Sequence, residues 1–119
     1  VVTGIVLHEP SKDYQVDAAK GYIAYADPVD PTNGQIYIAA IFPEKVNDAK
    51  AVVFSDKEKA ERGADGHVLA YSTYNPGSSY TYYSGAGWSK WGFENSGKWF
   101  ESVQKFAQNL KEPLIVTIK

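Results

Sequence analysis

The chain has 119 residues and a formal net charge of −2, with 44% hydrophobic and 22% charged residues and no cysteine. That length suits one small domain with a real core, and the missing cysteines exclude disulfides, zinc–thiolate sites and thiol catalysis. No run of Lys and Arg is present to neutralise phosphates or an anionic lipid surface, and no stretch approaches the ~20 apolar residues of a membrane span, so neither nucleic acid nor a membrane is an expected partner.

In chain order, Val1–His8 is apolar and β-branched and reads as a strand. "PSKDYQVDAAK" after it is polar and reads as a loop. Gly21–Asp27 and Gln35–Phe42 are strands, and the near-continuous apolar run of the second predicts that both its faces are covered. Between them "PVDPTNG" is dense in turn chemistry, so the pair reads as a hairpin with a longer loop. Ala49–Ser55 is a short strand, and "DKEKAERGADG" an exposed loop with at most one helical turn. His67–Tyr74 is a strand and "NPGS" a turn. Tyr80–Tyr83 is a strand running into the glycine-rich "SGAGWSKWG". Trp99, Val103, Phe106 and Leu110 recur at helical spacing, which predicts a helix over Ser96–Leu110 with Ser96 as N-cap and Pro113 beyond its end. "PLIVTIK" reads as a last strand. The sum is a mainly β chain, an antiparallel β-sandwich with one helix in its C-terminal region before the last strand.

The chemistry-bearing residues are few. There is no P-loop, no dinucleotide fingerprint and no His-Glu-x-x-His, so no cofactor or metal is expected. Of the two histidines, His67 shares a strand face with Leu69, Tyr71 and Thr73, while His8 precedes a Glu that points to the opposite face. A general acid/base role suits His67 with a tyrosine beside it; a structural hydrogen bond is the plain alternative. Alternation turns Tyr80 and Tyr82 one way and Thr81 and Tyr83 the other, one set for the core and one for solvent or ligand. Trp88 and Trp91, flanked by glycines, suit either a sugar-stacking surface or a core beneath a bend. Asp27, Asp30, Asp48, Asp56, Asp65 and Glu94 sit in turns or at strand ends and read as solvated. Catalysis is accordingly assigned to His67, Tyr71 and Tyr83, and substrate binding to Trp88, Trp91, Lys90 and His8.

"GHVLAYSTYNPGSSYTYYSGAGWSKWGF", with the Trp99–Leu110 helix and the "PLIVTIK" ending, resembles the C-terminal part of a bacterial family known as domain of unknown function 4861. "GYIAYADPV" and "GQIYIAAIFP" are similar to its preceding strands. The resemblance implies a β-supersandwich like that of galactose mutarotases. It also implies a periplasmic or secreted setting among pectin- and ulvan-degrading systems, close to lyases and unsaturated-glucuronyl hydrolases. It brings no catalytic residues with it.

Three functions follow. The first is part of an enzyme acting on uronate-containing oligosaccharides as a lyase, dehydratase or hydrolase, for which Lys90, Lys98 and Arg62 are the nearby cations. The second is a non-catalytic carbohydrate-binding sandwich, and the third a purely structural piece. The chain has no Met and opens directly on a strand, so a processed chain or a piece of a larger protein is expected, with the remaining N-terminal portion as its partner.

Overall fold

The computed structural model describes residues 2–8, 13–63, 66–73, 76–77 and 79–111. Strands β1 (Val2–Leu7), β6 (Gly66–Tyr71) and β5 (Asp48–Val53) form a three-stranded sheet in the order β1-β6-β5. Strands β2 (Asp13–Asp17), β3 (Tyr22–Ala26), β4 (Ile36–Ile41) and β7 (Tyr83–Trp88) form a four-stranded sheet in the order β2-β3-β4-β7. Every neighbouring pair is antiparallel. The mainly β, sandwich-like architecture read from the sequence is the one observed. The predicted "PLIVTIK" strand lies outside the described residues, as do Tyr74, Asp65 and Glu9.

The central strands of the four-stranded sheet, β3 and most of β4, are covered on both faces, and period two explains how. Ile23, Tyr25, Ala40 and Phe42 face the other sheet and pack with Ile5, Leu7, Val46, Val68 and Ala70. Tyr22, Ala24, Ala26, Tyr37, Ala39 and Ile41 face the opposite way, against helix α2 (Ser96–Lys111). All of β3 is therefore buried, and the apolar run of β4 finds the two-sided cover its sequence predicts.

Five local expectations are corrected. "DYQVD" is strand β2, folded back on β3 by a turn in which the Gly21 N–H reaches the Asp17 carbonyl at 2.8 Å. Residues 56–62 form a true helix, α1 (Asp56–Arg62), because Ser55 and Glu58 make a capping box and Gly63 closes its end in the left-handed region. The strand expected at Tyr80 starts only at Tyr83, so alternation does not govern Tyr80 and Tyr82. Instead the Tyr80 hydroxyl lies 2.6 Å from that of buried Ser72, and Tyr82 leans on Phe42. Asn95, not Ser96, caps α2, its side chain accepting the Lys98 N–H at 3.0 Å. The buried stripe of α2 is Trp99, Phe100, Val103 and Ala107, which turns Phe106 to the rim, edge-on to Tyr83 at 5.9 Å.

Candidate functional site

At one end of the sandwich the two sheets are joined by polar side chains. His8 follows β1 in the three-stranded sheet, and its Nδ1 lies 2.8 Å from Asp27 Oδ1, at the end of β3 in the other sheet. An ionised carboxylate only accepts, so Nδ1 carries the proton and Nε2 is the nitrogen left for a ligand. Both side chains reach solvent, at 55% and 30% exposure. Asp27 is held in turn by its own backbone: its N–H donates to the Ile36 carbonyl, and its carbonyl accepts from Gln35 Nε2, each at 2.9 Å.

The sheet register extends this pair into a row. Asp27 lies opposite Ile36, and Ile36 opposite Trp88, so all three side chains leave the same face of the sheet at the same end. Two strand spacings, about 10 Å, separate Asp27 from Trp88. Ile36 and Trp88 are half-exposed, at 44% and 42%. The result is an imidazole–carboxylate pair beside an apolar ledge that ends in an indole ring.

The "WSK" of the glycine-rich stretch has a second task. Trp88 Nε1 donates to the Asn33 carbonyl at 2.6 Å, Lys90 Nζ donates to the Thr32 carbonyl, and Ser89 exchanges two hydrogen bonds with the backbone of Gln35. These contacts clamp the loop 28–34 against the end of β7. Gly34 is required there, because it sits at φ +82° and a Cβ would strike Ser89 Oγ. Asp30 turns the loop by accepting the N–H groups of Thr32 and Asn33 at 2.7 and 2.9 Å. Those backbone bonds hold its carboxyl below the usual range. Lys90 also lies 5.9 Å from the centre of the Trp88 ring.

Of the seven residues predicted for the site, the fold brings His8, Trp88 and Lys90 to this end. It does not bring the predicted catalytic group together. His67 lies on the outer face of the three-stranded sheet between Val6 and Val52, edge-on to Phe54 at 5.3 Å. Among the described residues its ring makes no hydrogen bond or ion pair. Tyr71 shares that face but sits four residues along, about 13 Å away, beneath the Lys50 ammonium. Tyr83 belongs to the other sheet, on its helix-facing side. Trp91, just past β7, is 83% exposed. Of the other cations, Arg62 covers the Phe54 ring, and Lys98 lines a polar hollow with Glu94 and Glu101. Asp27 appears in the sequence only as one carboxylate among several. Its partner is 19 positions away in another sheet, and the one local clue is its place two residues after Tyr25 on the same strand face.

The fold and site define a class: a two-sheet antiparallel β protein, one sheet backed by a helix, with a solvent-reaching His–Asp pair bridging the sheets beside an aromatic ledge. The chain belongs to the family described as "Domain of unknown function (DUF4861)", whose model it matches over residues 1–116. No curated protein and no solved structure matches it. Among the described residues, no helix is long and apolar enough to cross a membrane.

Proposed function

We propose that the chain supplies the proton-transfer wall of a carbohydrate-active site for uronate-containing oligosaccharides, with His8 and Asp27 as its working pair. The observation that carries this reading is the 2.8 Å bond between the two, set in one row with Ile36 and Trp88. A carboxylate that fixes one imidazole nitrogen orients the ring and leaves the other to take or give a proton. Such a base suits proton abstraction beside a uronate carboxylate in a lyase or dehydratase, and such an acid suits a leaving oxygen in a hydrolase. The half-exposed indole of Trp88 provides a flat apolar face for a sugar ring. The same reading takes the protein as periplasmic or secreted and part of a larger supersandwich. There, the remaining N-terminal portion covers the outer face on which Val2 and Val6 stand exposed.

The test is turnover of a panel of uronate oligosaccharides by the full-length protein, read as new unsaturated products and new reducing ends. His8→Ala should lower turnover by about 10²-fold or more, and Asp27→Asn should follow it. Wild-type turnover in His8→Ala removes the pair from any catalytic role. A second reading, non-catalytic sugar binding, is favoured by the exposure of Trp91 beside Trp88. It is the one to keep if the wild-type protein binds these oligosaccharides without converting them and Trp88→Ala or Trp91→Ala weakens binding.

A further inference from the structure

We infer that Tyr25 is the positioning residue of the His8–Asp27 pair. Its phenol starts in the core between the sheets, with no exposed surface of its own, and crosses to the end of β1. There its oxygen accepts the His8 N–H at 2.9 Å and its hydroxyl donates to the His8 carbonyl at 3.1 Å. The pairing of β1 with β6 ends at Leu7 and Gly66, so His8 is the first residue beyond the ladder. The one hydroxyl of Tyr25 closes both of its backbone groups, in the place of the next rung.

Asp27 stands two residues further along the same strand, on the same face. The histidine is thus held twice from β3, by its backbone at Tyr25 and by its ring at Asp27, with a spacing fixed by the strand repeat. This matters because the ring contact alone is weak. It joins two side chains that both reach water, where an ion pair gains little over solvation and loses side-chain freedom. Fixing the backbone of His8 leaves only the two torsions of its side chain to be ordered when the ring bond forms. Tyr25 touches no ligand in this account, and its role is to keep Nδ1 on Asp27 and Nε2 turned out. The catalytic part of the inference rests on the proposed role of His8; the structural part does not.

The experiment is Tyr25→Phe, which deletes the hydroxyl and keeps the ring, examined by nitrogen-15 NMR of the His8 imidazole at a pH where the ring is neutral. The wild-type protein should show one tautomer, protonated at Nδ1. Tyr25→Phe should move the two nitrogen signals toward the mixture of a free imidazole, while the amide pattern of β3 and β4 stays native. Turnover, where present, should fall about tenfold at unchanged KM. A single Nδ1-protonated tautomer and full turnover in Tyr25→Phe overturn the proposal. A second measurement needs no variant: the His8 amide in the wild-type protein should exchange with solvent far more slowly than an open one, and exchange at the unprotected rate overturns the clamp. If His8→Ala retains turnover while Tyr25→Phe still disperses the tautomers, the proposed reaction fails and the positioning stands.

Discussion

The glycines of "SGAGW" stand on one strand face, two residues apart, yet the structure gives them opposite expectations. A Cβ added at Gly87 would lie 2.9 and 3.0 Å from Phe93 Cδ2 and Cε2, and 3.0 Å from Trp99 Cζ3. Carbon contacts settle at about 3.5–4.0 Å, so the rings would have to give by roughly half an ångström or more. They have little room to do so. Trp99 is buried, stacked on Tyr37 at 5.8 Å and met edge-on by Phe93 at 5.0 Å. Overpacking of this kind costs about 1–3 kcal/mol, and the lower backbone entropy cost of Ala in a strand returns about 0.5–1 kcal/mol. Gly87→Ala should therefore destabilise by about 0–2.5 kcal/mol, centred on about 1 kcal/mol, which at that central value is a fall in Tm of roughly 3–6 °C for a chain of this size. Gly85 has nothing within 4 Å of an added Cβ, which would enter the open groove between β7 and α2, a space of 280 Å³. Neither glycine has positive φ, so Ala fits both backbones. Gly85→Ala should be neutral or stabilising by up to about 1 kcal/mol. Urea and thermal unfolding of the two variants, with near-ultraviolet circular dichroism to report the aromatic cluster, make the comparison. Equal stability of the two, or a more stable Gly87→Ala, refutes the packing argument.

Two further outcomes follow from buried and titrating groups. Burial first, and then the nearby Asp13 carboxylate, push the Tyr37 phenol up, and among the described residues neither its hydroxyl nor Trp99 Nε1 has a hydrogen-bond partner. Tyr37→Phe should thus leave Tm unchanged or raise it, whereas a drop worth more than about 1 kcal/mol in urea unfolding would show that the hydroxyl is bonded after all. Asp30 has a depressed folded pKa, so its turn is fully held above the ordinary Asp range near 3.9 and is lost as pH falls through the lower folded value. The Thr32 and Asn33 amide signals should move together, with a midpoint below that of a free Asp. A midpoint at or above the free value contradicts the turn geometry.

The parts of the fold legible in the sequence are those carried by local pattern. Apolar runs rich in β-branched or aromatic residues mark β1, β3, β4, β5 and β6, and the two-sided cover of β4 shows in its near-continuous apolar run. α2 shows as a helix, but its period of 3.6 leaves the buried stripe free to rotate, so Phe106 and Ala107 exchange places relative to expectation. α1 was written in the sequence as well: "SDKE" is a capping box, obscured by the charge of the segment. β2 was hidden by its flanking Asp residues, and only pairing with β3 makes a strand of it.

His67 shows why a site is harder to read than a strand. Alternation correctly puts it on one face with Leu69 and Tyr71, but a strand face carries no label for what lies beyond it. Here that face looks outward, and Val6, Val52 and Phe54 surround the ring. His8 pairs with a carboxylate 19 positions away, and Trp88 reaches a carbonyl 55 positions away. Such contacts follow from which strand lies beside which, and from the stacking of one sheet on the other. The sequence by itself determined which segments extend, which segment coils and which side chains alternate, because those depend on neighbours within a few residues. Only the tertiary structure decided that residues 8, 27, 36 and 88 share one end of the sandwich, because register and sheet order are set by long-range packing of the whole core.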